Sequence, residues 1–221
     1  MAGPSALSGA GRFESSLAPF VRHNLLVPAR VIVLAGSSGS GKSRLAERLG
    51  FPVVRLDDFY RNGDDPDLPR LAMGVVDWDD PRSWNSKDAV AALERLCESG
   101  RAEVPIYDIA ADRRSGLHVV ELGGERLVVA EGIFAPEVVA ECRARGLLAA
   151  AICVRRPRAL TFVLRLARDL RERRKPPWVL VRRGLLLYRR EPEVVAAAVR
   201  LGCQPMGLRE AEAYVRSLAQ H

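Results

Sequence analysis

The segment Gly36–Ser43 constrains this chain more than any other feature, because it matches the pattern G-x-x-x-x-G-K-[ST] at every fixed position. Its glycines let the backbone curl so that successive N–H groups point inward at phosphate oxygens. Lys42 then reaches the outer phosphates of a nucleotide, and the Ser43 hydroxyl is placed to bind Mg²⁺. The pattern predicts ATP and Mg²⁺ as cofactors, and the predicted ATP-binding residues are Gly36, Ser37, Ser38, Gly39, Ser40, Gly41, Lys42 and Ser43.

The sequence on either side of this loop has the structure that the motif requires. Val31–Ala35 is a short apolar run of the kind found in strands buried on both faces. Lys42–Leu49 is amphipathic and predicts a helix. The chain has no N-K-x-D motif, the guanine-reading pattern of G-proteins, so ATP is favoured over GTP.

Strand patterns alternate with helical patterns along the rest of the chain. This alternation predicts an α/β protein with a mainly parallel sheet, a three-layer sandwich of the P-loop NTPase type. Ala102–Tyr107 and Leu117–Leu122 are predicted to pair as a small β-hairpin across a polar connection. The parallel strands are predicted at Val31–Ala35, Phe51–Leu56, Arg126–Ala130 and Leu147–Val154, and helices at Lys42–Leu49, Lys87–Glu98, Glu137–Arg145 and 158–174, with mostly helical sequence from there to the end.

The net charge of +7 is concentrated in one block. Residues 155–190 carry 13 Arg or Lys against two acids, whereas the rest of the chain has 21 basic residues against 25 acids. A block of this kind is suited to clamp phosphates, either of a nucleotide or of a nucleic acid, and the charge alone does not decide between them. We assign residues 1–29 to an N-terminal tail with a short helix, and residues 30–221 to a single domain built around the phosphate-binding loop.

The basic block is also compatible with a different class of protein, a nucleotide switch that binds nucleic acid. Such a surface would interleave its cations with aromatic side chains on which bases stack. The block contains only Phe162, Trp178 and Tyr188, and its first half has an apolar helical stripe. Nucleic acid is therefore disfavoured as a partner.

Composition predicts a cytoplasmic protein without a membrane anchor. No apolar run approaches the roughly 20 residues that span a bilayer. The N-terminal residues lack the pattern of a signal peptide. The four cysteines form no C-x-x-C pair, so they indicate neither a zinc site nor a disulfide framework.

Two carboxylates follow predicted strands directly. Phe51–Leu56 leads into Asp57, and Arg126–Ala130 leads into Glu131. In an open α/β sheet, ligands lie outside the carboxyl ends of the strands. Either acid is therefore placed to hold Mg²⁺ or to accept a proton from an acceptor hydroxyl, although both positions also suit helix N-caps.

A series of short motifs extends from the phosphate-binding loop to the basic block. In chain order they are Gly36–Ser43, Asp57–Tyr60, Asp77–Pro81, Pro105–Asp108, Glu131–Phe134 and Arg165–Asp169. Singly, the later motifs are weak, but their order and spacing together are specific. Over about residues 31–175 the chain resembles the uridine kinase family of P-loop kinases. The resemblance implies that residues 30–221 form one kinase domain, that the predicted hairpin belongs to its substrate region, and that an Arg-rich helical lid spans about residues 155–190.

The resemblance implies a role for each matching acid. Asp57 matches the general base that acts on the 5′-hydroxyl of the nucleoside and lies near Mg²⁺. Glu131 matches an acid close to the metal, so that Ser43, Glu131 and Asp57 form the implied metal set. Asp79 matches the carboxylate that binds the ribose hydroxyls.

The resemblance also implies roles for aromatic and basic residues. It places three aromatics around the acceptor and several cations in the lid, where they would stabilise charge on the transferring phosphoryl group. Each aromatic is equally compatible with a core position, and each arginine with a solvated helix face. The implied acceptor-binding residues are Tyr60, Trp78, Tyr107, Arg165 and Arg168, and the implied transition-state cations are Arg173 and Lys175.

Two departures from the family pattern leave the acceptor open. Asp112 stands where the family has a base-reading histidine, and Asp80 stands at another common histidine position. A nucleoside, with uridine or cytidine first, is the leading acceptor, and a phosphoribulokinase-like or pantothenate kinase-like substrate is the alternative. Residues 57–80 contain eight Asp but only two Arg, which favours a neutral, hydroxyl-rich acceptor. A homo-oligomer is compatible with the sequence.

Overall fold

The computed structural model describes residues 28–171, 188 and 191–220. Five strands form one parallel sheet in the order β2-β5-β1-β6-β7, and β3 and β4 form a separate antiparallel hairpin. This confirms the predicted α/β fold with a mainly parallel sheet. The strands are β1 (Arg30–Ala35), β2 (Val53–Arg55), β3 (Arg101–Asp108), β4 (Arg113–Glu121), β5 (Leu127–Glu131), β6 (Leu148–Arg155) and β7 (Gln204–Gly207).

Helices cover both faces of the parallel sheet. Residues 191–200 are helical and are called α5 here. The other helices are α1 (Lys42–Leu49), α2 (Ser86–Ser99), α3 (Val139–Ala144), α4 (Arg158–Arg171) and α6 (Leu208–Leu218), and short 3₁₀ turns span Leu56–Phe59, Pro81–Ser83 and Ala135–Val138.

The side chains of β1 show why this strand is apolar throughout. Val31, Val33 and Ala35 lie in one hydrophobic cluster, together with residues of α2 and α3. Ile32 and Leu34 lie in a second cluster on the opposite face, with residues of α1 and α6. Because successive side chains of a strand point to opposite faces, a central strand between two helical layers needs apolar residues at every position.

The β3–β4 hairpin packs against α2 at the edge of the first cluster. Ala102 pairs with Val120, and these residues lie in that cluster with Leu93 and Leu96 of α2. The predicted hairpin is confirmed, and its strands are longer than the sequence indicated. The extended ends carry polar residues, and Arg101 of β3 forms an ion pair with Glu121 of β4 at 3.7 Å.

Two predictions of secondary structure were wrong. The strand predicted over Phe51–Leu56 is confined to Val53–Arg55, because Leu56 and Phe59 enter the core from a 3₁₀ turn. The sequence predicted to be mostly helical to the end does contain α5 and α6, but β7 lies between them, is largely exposed and pairs with β6. The short helix predicted in the N-terminal tail, over about residues 12–27, lies outside the described residues, as does the lid beyond residue 171 apart from residue 188. Among the described helices, none has the length and apolar character needed to cross a membrane.

Candidate active site

The phosphate-binding loop is curled tightly between β1 and α1. Gly36, Gly39 and Gly41 have φ angles of 138°, 84° and 97°, which L side chains rarely adopt. A Cβ atom added to Gly36 would lie 2.7 Å from the carbonyl oxygen of Val154, so the loop packs closely on the end of β6. Gly41 is the N-cap of α1, and the N-terminal end of this helix therefore opens directly onto the loop.

A cavity of about 460 Å³ lies over the loop. The residues predicted to bind ATP divide into those that line the cavity and those that pack beneath it. Ser40 is fully buried, and the Ser37 hydroxyl donates a hydrogen bond to Oε1 of Glu191 at 3.2 Å. The cavity is lined by Ser38, Gly39, Gly41, Lys42, Ser43, Arg44, Arg156, Leu164 and Ala167.

Ser43 and Glu131 meet at the edge of this cavity. The Ser43 hydroxyl lies 3.2 Å from Oε1 and 3.1 Å from Oε2 of Glu131. Glu131 ends β5, where it pairs with Leu34 of β1 and Arg55 of β2. Three parallel strands thus end together, and the first turn of α1 supplies the hydroxyl.

Asp57 lies beside the same strand ends. It stands in the first turn of the 3₁₀ segment after β2, and its Oδ1 accepts a hydrogen bond from the backbone N–H of Ile133 at 2.8 Å. A Cβ atom added to Gly132 would lie only 2.6 Å from that Oδ1. Asp57 and Glu131 therefore lie on either side of Gly132, and the carboxylate of Asp57 is tied to another segment rather than capping its own turn.

Aromatic side chains form a cluster next to Asp57. The ring of Tyr60 lies 5.5 Å from Trp78, 5.6 Å from Tyr107 and 5.7 Å from Phe134, measured between ring centroids. The Tyr60 hydroxyl donates to the carbonyl of Trp78 at 3.1 Å. Burial, together with the charges of Asp57 and Asp79, raises the pKa of Tyr60 above its usual value, so this phenol remains protonated.

The hairpin is tied to the loop that carries Asp57 and Tyr60. The Tyr107 hydroxyl donates to the carbonyl of Arg61 at 3.1 Å, and burial is the main cause that raises the pKa of Tyr107 to about 12. Gly63 donates from its backbone N–H to the carbonyl of Asp112 at 2.6 Å. Asp112 has a φ of 48°, a conformation that Asp adopts more readily than most residues.

Asp79 is exposed at the end of the same loop. Its backbone N–H donates to Oδ1 of Asp77 at 3.1 Å, which closes a tight turn with Trp78 at its centre. Its carboxylate is close enough to Tyr60 for its charge to act on that phenol. The structure thus gathers Asp57, Tyr60, Trp78, Asp79 and Tyr107 at one end of the sheet.

The comparison with protein families decides which family this chain belongs to. The model of the phosphoribulokinase/uridine kinase family matches residues 31–176, which include the loop, both strand-end acids and the aromatic cluster. The chain belongs to the phosphoribulokinase/uridine kinase family. It is therefore a P-loop kinase, and its family uses ATP.

Curated relatives of this kinase are similar over the same region. It is 28% identical over 149 residues to the uridine kinase of Borrelia hermsii, a match that covers 65% of this chain and 69% of that enzyme. It is 27% identical over 151 residues to the uridine kinase of Lactobacillus johnsonii, with the same coverage of both chains. A match of 31% to the inorganic pyrophosphatase TTM2 of Arabidopsis thaliana covers only 15% of that protein.

Solved structures share the fold of this kinase. A candidate fructose transport system kinase from Silicibacter sp. TM1040 has a TM-score of 0.57 and 21% identity, covering 81% of this chain and 88% of that one. YFH7 from Saccharomyces cerevisiae, a candidate P-loop kinase with a circular permutation, has a TM-score of 0.56 and 11% identity, covering 81% and 92%. Both matches support the three-layer architecture.

The lid arginines are only partly described. Arg165 and Arg168 belong to α4, but their side chains lie outside what the structure describes. Arg173 and Lys175 lie outside the described residues altogether. The roles of these four cations remain predictions from the resemblance.

Sequence reasoning missed contacts made by three residues at the site. In the sequence, Gly132 stands out only as part of a motif. In the structure it lies so close to Asp57 that a side chain at this position would displace the carboxylate. Glu191 is 6% exposed and accepts from Ser37, 154 positions earlier in the chain. Arg156 packs on Gly41. No local pattern marks such pairs, because the contacts depend on how distant segments meet in the sheet.

Replacing Gly132 with alanine tests the packing around Asp57. The new Cβ atom would lie 2.6 Å from Oδ1 of Asp57 and 3.0 Å from Cβ of Leu56, so the carboxylate must move. We expect kcat to fall by about 10- to 100-fold, since misplacement of a reacting group by about 1 Å can cost about 100-fold in rate. Steady-state kinetics measures this change.

Gly207→Ala is the matched control for this substitution. Gly207 has a φ of −69°, and a Cβ atom added there would meet nothing within 4 Å. Gly207→Ala should leave kcat unchanged. In both variants the ATP affinity, measured by calorimetry, should stay within about twofold of wild type, because neither glycine lies in the phosphate-binding loop. An active Gly132→Ala enzyme would show that Asp57 tolerates displacement.

Proposed function

We propose that this kinase transfers the γ-phosphate of ATP to the primary hydroxyl of a nucleoside, with uridine or cytidine as the first acceptors. The observation that carries the proposal is the position of Asp57. It lies between the strand-end pair formed by Ser43 and Glu131 and the aromatic cluster that begins at Tyr60. One carboxylate is thus next to both the phosphate end and the acceptor end of the site.

Ser43 and Glu131 are the residues that would hold Mg²⁺. Both supply oxygen donors, and they already lie 3.1 Å apart beside the cavity, which suits a hard cation. Mg²⁺ typically takes only one or two carboxylates from the protein and completes its shell with phosphate oxygens and water. The described residues contain no cluster of three acidic, His or Cys side chains that could hold a metal. The proposed site would therefore take only Ser43 and Glu131 from the protein. Bound Mg²⁺ supplies charge neutralisation to the phosphates.

Asp57 is proposed as the general base. Its Oδ1 is fixed by the N–H of Ile133, and its Oδ2 makes no hydrogen bond within the described part of the chain. As the acceptor hydroxyl oxygen attacks the γ-phosphorus, its proton passes to this carboxylate, while the bond from the γ-phosphorus to the bridging oxygen breaks and ADP leaves with that oxygen. Asp57 thus needs to be near the hydroxyl and does not need to contact ATP.

Lys42 is proposed to stabilise the charge of the transferring group. It follows Gly41 at the start of α1 and lines the cavity. A cation held at this position needs no reorganisation during the reaction, which is the main source of electrostatic catalysis. Arg165 and Arg168 are proposed to bind the acceptor and the phosphates, and Arg173 and Lys175 are proposed to add further cations that stabilise the transition state.

The aromatic cluster is proposed to hold a flat, neutral acceptor. Tyr60, Trp78 and Tyr107 offer ring faces for a nucleobase, and Asp79 offers two oxygens that accept from ribose hydroxyls. The protonated Tyr60 phenol is already a donor to the carbonyl of Trp78, which fixes the two rings relative to each other. Asp112 is proposed to take the place of the base-reading histidine.

An acceptor screen tests this proposal. ADP release from Mg-ATP is measured with uridine, cytidine, adenosine, ribose, pantothenate and ribulose 5-phosphate. Stimulation by uridine or cytidine alone is the expected result, with the product identified as the 5′-monophosphate. Stimulation by ribulose 5-phosphate or pantothenate alone would replace the nucleoside by the alternative acceptor, and stimulation by none would overturn the acceptor assignment.

The substitution Trp78→Ala tests the role of the aromatic cluster. It removes one ring face, and an aromatic contact contributes about 0.5–1.5 kcal/mol beyond its buried area, so we expect KM for the nucleoside to rise about tenfold. The KM for ATP should not change, because Trp78 does not line the phosphate cavity. Initial rates at varied acceptor concentration measure both constants.

Met73→Ala is the control within the same loop, because Met73 is 90% exposed. It should leave both constants unchanged. An unchanged acceptor KM in Trp78→Ala would assign this ring to packing alone, and Trp78→Phe should restore most of the affinity if ring stacking is the cause.

A further inference from the structure

Arg156 lines the cavity over the phosphate-binding loop, and the reaction proposed above gives this charged residue no role. It follows β6 directly, and Cys153 of that strand pairs with Ala35 of β1. Because β1 leads into the phosphate-binding loop, this register places the chain after β6 beside the loop. The position of Arg156 is therefore set by the central sheet, the most buried part of the fold.

The guanidinium of Arg156 covers Gly41. A Cβ atom added to Gly41 would lie 2.9 Å from Nη2, 3.2 Å from Cζ and 3.3 Å from Nε of Arg156. Since these three distances are similar, the face of the guanidinium, rather than one end of it, lies on the glycine. Any larger residue at position 41 would push the cation away from the loop backbone.

Arg156 also has the surroundings of an anion-binding group. It lines the cavity together with Lys42 and Arg44, and no acidic residue is among the described residues that line it. Arg156 is partly buried, and its side chain makes no ion pair or hydrogen bond within the described ranges of the chain. A planar guanidinium with five donors and no acceptor of its own matches phosphate oxygens well.

We propose that Arg156 is a further nucleotide-binding residue, whose guanidinium binds the ATP phosphates held by the loop backbone at Gly41. Backbone N–H groups of such loops hold the α- and β-phosphates, which ADP shares with ATP. Arg156 therefore contributes to the affinity for both nucleotides and not to that for adenosine. This inference rests on the proposed use of ATP at the loop and is independent of the acceptor.

Calorimetric titration of Mg-ATP, Mg-ADP and adenosine into the whole chain, without acceptor, tests the inference. Arg156→Met removes the cation and keeps an unbranched apolar side chain of similar reach. We expect the Kd of both nucleotides to rise about 10- to 100-fold, the range given by the loss of a charge-assisted hydrogen bond. The affinity for adenosine should stay within about twofold. Arg156→Lys keeps the charge but loses the planar fork, so its Kd values should be intermediate.

Arg155→Met is the matched control, because Arg155 is the exposed neighbour at the end of β6 and does not line the cavity. It should bind both nucleotides as the wild type does. An unchanged nucleotide Kd in Arg156→Met, an equal loss of adenosine affinity, or an equal effect of Arg155→Met would each overturn the proposal. Arg156→Lys serves as the decisive variant if Arg156→Met does not fold, as judged by circular dichroism.

The outcome separates this inference from the proposed function. If the chain binds ATP, and Arg156→Met weakens that binding, but no nucleoside is phosphorylated, the acceptor assignment fails while the role of Arg156 stands. If nucleosides are phosphorylated and Arg156→Met binds nucleotides normally, only the role of Arg156 fails.

Discussion

The substitution Lys42→Ala is expected to reduce ATP-dependent turnover by about 1,000-fold or more, the scale on which single cations and donors act in phosphoryl and acyl transfer. Lys42 is the first residue of α1 and lines the cavity over the phosphate-binding loop. Its ammonium group is the cation that the motif assigns to the outer phosphates. Alanine has high helix propensity, so α1 itself should form normally.

Acceptor-stimulated ADP release at saturating substrate measures this effect, and calorimetry measures the accompanying loss of ATP affinity. Lys87→Ala is the matched control, because Lys87 is an exposed lysine near the start of α2 and does not line the cavity. It should retain wild-type rate and affinity. Turnover by Lys42→Ala within about threefold of wild type would contradict the assignment of the loop as the ATP site.

The parts of the fold that could be predicted are those specified locally. The apolar run at Val31–Ala35, the glycines after it and the amphipathic pattern of Lys42–Leu49 each determine their own structure, and β1 and α1 occur where predicted. The hairpin was also predicted, and its apolar residues Ala102, Val104 and Val120 lie in the first hydrophobic cluster with residues of α2. In these segments the local pattern and the global fold agree.

The parts that could not be predicted depend on partners distant in sequence. β7 has a largely exposed sequence that includes Pro205, and it becomes a strand because the edge of β6 is available to it. Likewise, Leu56 ends the predicted strand in the sequence, but both Leu56 and Phe59 bury their side chains from a 3₁₀ turn. Pattern alone does not distinguish a short buried strand from a helical turn.

The same division applies to the candidate site. The loop and the strand-end acids follow from a motif and from the rule that ligands lie at the carboxyl ends of strands. The pairing of Ser43 with Glu131 follows from the sheet order β5-β1, which no segment of the sequence specifies by itself. The contact of Arg156 with Gly41 also joins segments that are distant in the sequence, so no local pattern could have predicted it.

The substitution Asp57→Asn is expected to reduce kcat by about 100- to 10,000-fold, the usual range for the loss of a positioned general base. Asparagine has nearly the same shape, and its amide oxygen can keep the hydrogen bond that Oδ1 accepts from the N–H of Ile133. The packing against Gly132 is also preserved. The change therefore removes the basic group and leaves the local structure in place.

Kinetics with saturating acceptor and calorimetry of ATP binding together identify what Asp57 does. Asp67→Asn is the control, since Asp67 has an 85% exposed side chain and lies in the loop that follows Asp57. If Asp57 is the base, kcat falls and the Kd of Mg-ATP stays within about twofold, in contrast to Lys42→Ala, which loses both rate and affinity. If Asp57 is chiefly a metal ligand, the loss should appear instead as a higher Mg²⁺ requirement that excess metal relieves. A wild-type rate would remove Asp57 from the mechanism, and Glu131, the other proposed strand-end acid, would be the next residue to test as the proton acceptor.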